Sequence, residues 1–195
     1  MTTNSNLIPI GEFMRESARN LEIAAAIYSD YETAREKIIN DFFDRVTQTL
    51  KRKKKDLQSW QISYDGGFFV QQYACYRLHK KTWKDRYDIR IEAFNKGERM
   101  IYGVWRDKAL GRVQRNSPLL QAVRQALPRA RLKSRDYYEA EISMDFPEPD
   151  WRKAKVLWRM LQDKEFELAV AALLLEIVDL SENYVDQLVR SRTGT

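Results

Sequence analysis

The residues best suited to chemistry in this sequence are the arginines that crowd the segment between residues 106 and 135. That segment holds nine basic side chains, seven of them arginine, and one acid, Asp107. Arginine presents a planar fork of donors that matches phosphate or carboxylate oxygens, and it also stacks on aromatic rings. Because so many like charges repel one another, they require compensation by opposite charge. The pattern predicts a surface that binds a polyanion.

Two further basic groups precede this segment. One is the run Lys51–Lys55, and the other lies between Arg77 and Arg86 around Trp83. Basic side chains interleaved with aromatic ones are typical of nucleic-acid binding, because charge holds the phosphates while rings stack on bases. We therefore predict nucleic acid as the partner. The predicted phosphate contacts are Arg112, Arg115, Arg129, Arg131 and Lys133, with Lys53, Lys54, Lys80 and Lys81 at the periphery and Trp83 as the stacking residue.

The distribution of charge along the chain leaves a second interpretation open. Residues 51–135 carry 22 basic and 7 acidic side chains, a net charge of +15, whereas residues 1–50 and 136–195 carry −3 and −6. The acidic carboxy-terminal segment could fold onto the basic middle of the same chain or of a second copy. The alternative is a protein–protein interaction module, an adaptor or inhibitor, or a homodimer.

Residue types argue against most enzyme classes. His79 and Cys75 are the only histidine and cysteine, which excludes cysteine-rich zinc and iron–sulfur sites and leaves no partnered nucleophile. No phosphate-binding glycine-rich loop is present, so no cofactor is predicted. The carboxylates of Asp65, Asp88 and Glu92 could hold magnesium for phosphodiester hydrolysis, which makes a metal-dependent nuclease a second alternative. We expect binding rather than turnover.

The elements that must position these side chains follow from periodicity. Tyr87, Ile89, Ile91 and Ala93 alternate with charged neighbours, as in a strand with one buried face. We predict a single α+β domain over residues 1–195, with a largely antiparallel sheet of about five strands covered on one face by helices. Its expected parts are a disordered segment 1–10, helices over 11–55, the sheet region 57–145 and helices over 150–190.

Local signals refine this outline. Ser29 and Glu32 have capping-box spacing, which predicts a helix starting near Asp30. Ser117 and Asp163 are predicted to cap later helices. The tryptophans divide by pattern. Trp60, Trp105 and Trp158 lie in apolar stripes and are predicted to be core residues, whereas Trp83 and Trp151 are candidates for exposed contacts.

The basic helix end, the aromatic strands and the segment Tyr102-Gly103-Val104-Trp105 together resemble the region that follows the nuclease core in prokaryotic PD-(D/E)XK-superfamily proteins. The resemblance covers residues 57–145. The catalytic pattern of that superfamily places an acid two residues before a lysine, but Phe94 follows Glu92 and Glu141 follows Glu139 at that spacing. The resemblance therefore implies an accessory or degenerate part, with no catalytic residue carried over.

Localisation is predicted from what the sequence lacks. The amino terminus has no signal-peptide pattern, and the lone cysteine favours a reducing compartment. The longest apolar run, residues 169–175, is far shorter than the roughly 20 residues that a membrane span requires. We predict a cytoplasmic protein with no membrane partner.

Overall fold

The structure is a computed structural model of the 195-residue chain. It describes residues 7–68, 71–94, 96–111, 117–128, 131–135, 137–144 and 147–193. The chain divides into two compact units, residues 1–37 and residues 38–195. The sheet lies within the second unit.

The first unit contains α1 (Leu7–Glu16) and the start of α2 (Ala18–Lys53). The break between these helices falls at Ser17, whose Oγ accepts a hydrogen bond from the Asn20 backbone N–H at 3.1 Å. The helix start predicted near Asp30 is wrong, because α2 runs through the Ser29 capping box without interruption. Alanines 24–26 just upstream are strong helix formers and carry the helix across this point. Helix α1 also begins inside the segment expected to be disordered.

In the second unit, the described residues form a six-stranded sheet in the order β1-β2-β3-β4-β6-β5, with every neighbouring pair antiparallel. The strands are β1 (Gln61–Tyr64), β2 (Cys75–His79), β3 (Tyr87–Phe94), β4 (Arg99–Arg106), β5 (Leu132–Arg135) and β6 (Tyr138–Ser143). The predicted α+β class and antiparallel sheet are confirmed. The sheet has one strand more than the five predicted. The strand that was not predicted is β5, which lies at the end of the basic segment 106–135.

Helices cover one face of this sheet. They are the second half of α2, α3 (Pro118–Ala126), α4 (Ala154–Gln162) and α5 (Lys164–Thr193). Phe43 of α2 stacks on Tyr76 of β2 with ring centroids 4.3 Å apart. The predicted caps are confirmed, since Ser117 Oγ accepts from the Leu120 N–H and Asp163 Oδ1 from the Phe166 N–H.

Three of the five tryptophans, Trp83, Trp151 and Trp158, occupy positions opposite to those predicted. Trp151 is completely buried at the centre of an aromatic cluster, with its ring 5.9–6.1 Å from those of Phe42, Phe43, Phe68 and Phe166. Trp158 is 61% exposed, because α4 turns Val156, Leu157 and Met160 toward the core instead. Trp60 is buried as predicted.

The sheet has two chemically distinct faces, which the cross-strand register defines. Tyr87, Ile89, Ile91 and Ala93 face the helices and are completely buried. The alternate residues of β3 belong to the opposite face, which we call the polar face. Its members on the four central strands are Cys75, Arg77, His79, Asp88, Arg90, Glu92, Phe94, Arg99, Ile101, Gly103, Trp105, Tyr138, Glu141 and Ser143.

A β-bulge in β6 places two side chains, Tyr138 and Glu139, on the faces of the sheet opposite to those that regular alternation predicts. The register between β4 and β6 shifts after Val104, so that Trp105 pairs with Tyr138 and Glu139 is skipped. Tyr138 consequently joins the polar face, although strict alternation with Ala140 and Ile142 along the strand predicts it on the core side. Glu139 turns to the helix side, where it lies 3.5 Å from Arg106 and both side chains are buried.

Candidate nucleic-acid interface

Of the five predicted main phosphate contacts, two line a cavity in the structure and three are not described by it. Arg112, Arg115 and Arg129 lie outside the described residues. Arg131 and Lys133 are exposed and line one cavity of about 440 Å³. We call it the basic cavity; Phe94, Arg99 and Ser143 of the polar face also line it. Two of the predicted phosphate contacts therefore lie together in the structure. A third cation of the same cavity, Arg99, was not predicted.

Lys54 and Lys80 are already neutralised within the chain. Lys54 Nζ lies 2.7 Å from Asp179 and 3.2 Å from Glu182, whereas Lys80 Nζ lies 2.9 Å from Glu182 and 2.7 Å from Asp186. The three acids belong to α5, so one helix pairs with both lysines. We call these five residues the lysine cluster. This pairing argues against the predicted role of its lysines as peripheral phosphate contacts.

The electrostatics of the lysine cluster agree with its geometry. Burial alone would lower the pKa of Lys80, but hydrogen bonds to Asp186 and Glu182 outweigh burial and raise that pKa above its ordinary value. The pKa of Lys54 is raised in the same way, with hydrogen bonds to Asp179 and Glu182 outweighing burial. Both ammonium groups are therefore held charged by acids that compete with any external anion. Lys53 and Lys81, which flank the cluster in sequence, are exposed.

Trp83 is not available for stacking on a base. Its side chain is completely buried, its ring lies 5.0 Å from that of Trp60, and its Nε1–H donates to Asp186 at 2.8 Å. The charge pattern led to the wrong prediction because Trp83 follows the half-buried Lys80 and the exposed Lys81 in a tight turn. That turn packs against α5, which buries the indole while leaving its neighbours near solvent.

The polar face is organised around Arg90. Its Nη2 donates to Asp88 Oδ2 at 2.8 Å, and its guanidinium carbon lies 3.8 Å from the centroid of the Trp105 ring. Glu92 is the third neighbour, with Oε2 3.9 Å from Nη1. A guanidinium stacked on an indole and held by a carboxylate is fixed in orientation, because the planar fork and the ring face constrain it together.

Aromatic side chains surround a second cavity on the polar face. Its volume is about 490 Å³, and we call it the aromatic cavity. It is lined by Tyr73, Arg90, Glu92, Phe94, Ile101, Trp105, Tyr137, Tyr138 and Glu141. Phe94 lines the basic cavity as well, and Arg99 of that cavity lies 3.2 Å from Glu141 of this one. The two cavities therefore adjoin, and together we call them the sheet groove.

Two tyrosines of the sheet groove have a large exposed fraction. Tyr73 is 51% exposed and Tyr137 is 48% exposed. Tyr73 has a φ of 72°, a left-handed backbone conformation that a bulky side chain rarely adopts. Its backbone N–H donates to Ala93 O at 3.2 Å, and its ring meets that of Phe94 edge-on at 5.7 Å. Strain of this kind accumulates where a side chain must be presented in one direction.

Gly103 makes the floor of the aromatic cavity possible. It lies between Ile101 and Trp105 on the polar face, so no side chain separates Tyr138 of β6 from Glu92 of β3. The Tyr138 hydroxyl crosses this gap and donates to Glu92 Oε2 at 2.9 Å. A Cβ at position 103 would lie 1.9 Å from Ala140 O, which shows how closely the β6 backbone approaches.

Glu92 is an unusual acid for its position. It is 6% exposed, and burial raises its pKa above the ordinary value, with the charges of Glu141 and Asp88 adding to that effect. The hydrogen bond from Tyr138 and the charge of Arg90 oppose the rise without cancelling it. The carboxyl is thus held where its ionised form is only partly compensated.

The acids proposed for magnesium share the polar face but do not form a metal site. Asp65 is paired with Arg77 and accepts from Cys75 Sγ at 3.0 Å, while Asp88 is held by Arg90. Across the described residues, no three His, Cys, Asp or Glu side chains form a group that could bind a metal ion. Burial raises the pKa of the Cys75 thiol to about 12, so this cysteine is an inert side chain beneath the sheet surface.

No family model, curated protein or solved structure matches the sequence. The resemblance to the PD-(D/E)XK superfamily therefore stays a prediction. Among the helices that the structure describes, none combines the length and apolar character needed to cross a membrane.

The first unit exposes apolar side chains, which bears on the alternative prediction of a protein–protein interaction module. Its part of α2 exposes large apolar side chains on more than one side of the helix. These are Leu21, Ile23, Ile27, Tyr28 and Tyr31, each at least 40% exposed. Exposed apolar surface of this extent is typical of contact sites. The homodimer and adaptor alternatives stay predictions.

Proposed function

We propose that this protein binds single-stranded nucleic acid along the sheet groove. The observation that supports the proposal most strongly is that exposed tyrosines and exposed cations line adjoining cavities on one face of the sheet. Tyr73 and Tyr137 line the aromatic cavity, and Arg131 and Lys133 line the basic cavity beside it. Proteins that bind single strands combine these two components, one for the bases and one for the phosphates.

The rings supply the sequence-tolerant part of the interaction. An exposed tyrosine can stack on any base, and each such contact contributes about 1–3 kcal/mol. Trp105 has one ring face covered by Arg90, so its role is to support the guanidinium. Tyr73 and Tyr137 are the side chains left to stack on bases, since about half of each is accessible to solvent.

The acidic side chains of the polar face lie deeper below its surface than most of the basic ones, which allows a face with many acids to attract an anion. Asp88, Glu92 and Glu141 are each at least 94% buried. Among the described residues that line the basic cavity, the charged side chains nearer solvent are three cations and one acid. They are Arg99, with 35% of its side chain exposed, the exposed Arg131 and Lys133, and Glu98, whose side chain is 52% exposed. Charges close to solvent dominate the field that an approaching strand experiences, because the deeper carboxylates are paired with arginines.

The shape of the sheet groove favours a single strand over a duplex. Reading duplex DNA requires an element that projects into a groove, commonly a helix or a two-stranded ribbon. The sheet groove is a cavity, and the rings of Tyr73, Phe94, Trp105 and Tyr137 line part of it. Bases that are already unstacked can enter such a cavity, whereas paired bases cannot.

Fluorescence anisotropy with labelled single-stranded oligonucleotides tests this proposal. Tyr73→Ala and Tyr137→Ala are each expected to weaken binding by about 1–3 kcal/mol through lost stacking. Tyr28→Ala is the matched control, because Tyr28 is a 76% exposed tyrosine that belongs to the first unit. Absence of binding at low salt, or equal losses for all three variants, would overturn the proposal.

A further inference from the structure

Glu92 is the part of the sheet groove that phosphate binding and stacking leave unexplained. It is almost completely buried, yet it lines a cavity open to ligands. Its Oε2 accepts from Tyr138, whereas its Oε1 accepts no hydrogen bond within the described parts of the chain. Neither Glu92 oxygen is among the fully buried side-chain atoms that lack a partner in the described residues, so Oε1 is reached from the cavity and is free to accept a hydrogen bond from a ligand. The geometry calls for a ligand that donates hydrogen bonds.

The surroundings of Glu92 restrict that ligand to something flat. Tyr73 and Phe94 come from the β2 and β3 side of the aromatic cavity, and Trp105 and Tyr137 come from the β4 and β6 side. A volume of about 490 Å³ falls within the range of small-molecule sites. Aromatic walls prefer a planar π-system stacked against them. The site thus combines flat apolar walls with a pure hydrogen-bond acceptor at its base.

We infer that the aromatic cavity takes one unstacked guanine base, with the Glu92 carboxylate accepting hydrogen bonds from its N1–H and N2–H groups. This inference rests on the proposed single-strand binding and adds a base preference to it. An ionised carboxylate offers two acceptor oxygens and no donor, which matches two parallel N–H groups. Tyr138 orients that carboxylate, because its hydroxyl fixes Oε2 at 2.9 Å.

The other bases fit this acceptor less well. The Watson–Crick edge of adenine presents one donor beside an acceptor nitrogen, and that of cytosine does the same. Uracil presents one donor flanked by two carbonyl oxygens. Each of these edges would place at least one acceptor toward Glu92 or leave one of its oxygens unused. A bidentate contact to the matching base discriminates by about tenfold or more.

The test measures anisotropy with short oligouridylates that carry one central guanosine, inosine or adenosine. The guanosine strand is expected to bind about tenfold more tightly than the adenosine strand. Inosine keeps the N1–H but lacks the N2 amine, so its strand is expected to fall between them. Glu92→Gln replaces one acceptor oxygen by a donating amide, and this variant is expected to lose the guanosine preference.

Asp179→Asn is the matched control, since it neutralises an acid of the lysine cluster outside the sheet groove. It is expected to keep the guanosine preference. Thermal melts of both variants serve as the control that each is folded. Equal affinity of the native protein for all three strands would overturn the guanine inference while leaving single-strand binding intact. Binding of no strand would overturn both. Occupation of the cavity by a short arginine-containing peptide, without preference among the strands, would assign it to a cationic partner instead.

Discussion

The lysine cluster and the sheet groove are both rich in cations, but they present their charge to solvent in opposite ways. In the lysine cluster, acids from α5 reach Lys54 and Lys80 and neutralise them. In the sheet groove, the acids Glu92 and Glu141 lie beneath the surface, and exposed cations lie above or beside them. Availability for a partner therefore depends on which sign of charge is outermost, and a count of charges along the chain does not reveal this.

The largest expected effect tests whether the floor of the sheet groove depends on the close approach of the β4 and β6 backbones at Gly103. Gly103→Ala is expected to cost about 3 kcal/mol or more of stability in urea denaturation, through backbone strain and overpacking. The new Cβ would lie 1.9 Å from Ala140 O at a φ of 149°. Gly111→Ala is the control, because position 111 also has positive φ but a Cβ there would meet no atom of the described residues within 4 Å. It is expected to cost about 1–3 kcal/mol, because a φ of 83° with a ψ of −160° is a backbone conformation almost exclusive to glycine. A cost at position 111 equal to that at position 103 would contradict the account.

The next effect tests whether the lysine cluster is structural. Asp186→Ala removes one of the two acids that pair with Lys80 and leaves the buried Trp83 N–H without an acceptor, so a loss of about 2–3 kcal/mol is expected. Asp186→Asn keeps an oxygen for Trp83 and is expected to cost about 1 kcal/mol. Chemical denaturation measures both. Tighter oligonucleotide binding by either variant would show that the freed lysine is a binding residue, which would break the comparison.

A smaller effect contrasts the buried acid of the sheet groove with a buried acid on the helix side. The folded-state pKa of Glu92 is raised, so the native protein loses stability as pH rises from the ordinary carboxyl value of 4.5 through the higher folded pKa. Glu92→Gln lacks this loss. Its stability relative to the native protein is therefore expected to increase over that interval in pH-dependent denaturation.

Glu167 is expected to behave in the opposite sense. Burial would raise its pKa, but hydrogen bonds from Lys164 and Thr49 and the charge of Arg45 outweigh burial and lower it. The stability that Glu167 contributes is present above pH 4.5 and is lost as pH falls through the lowered folded pKa. Glu167→Gln is accordingly expected to cost stability at neutral pH and little in strong acid. The same pH trend for both variants would contradict the assigned environments.

Much of the fold could be predicted because it rests on local signals. The alternation in β3 and the caps at Ser117 and Asp163 depend on residues close in sequence, and the structure confirms them. The orientation of Tyr138 could not be predicted, since a bulge set by pairing with β4 reverses it. The bulge also decides which side of the sheet carries Glu139.

The candidate site was harder to predict, because its residues meet only through tertiary structure. Lys133 was predicted from charge alone, but Tyr73 and Tyr137 were missed although each lies within two residues of a strand start. The signal that could have found them is an aromatic residue just outside a strand whose alternate positions are polar. Trp83 shows the converse error, since it is buried against α5, where its hydrogen-bond acceptor Asp186 lies 103 residues away in sequence.

The salt dependence of oligonucleotide binding, measured for two matched lysine variants, tests the central claim most directly. Lys133 lines the basic cavity, whereas Lys53 ends α2 away from the polar face, and both are exposed. Lys133→Gln is expected to weaken binding and to reduce the slope of log K against log salt by about 1, while Lys53→Gln leaves both unchanged. A reduced slope for Lys53→Gln with none for Lys133→Gln would contradict the assignment of the sheet groove as the binding surface.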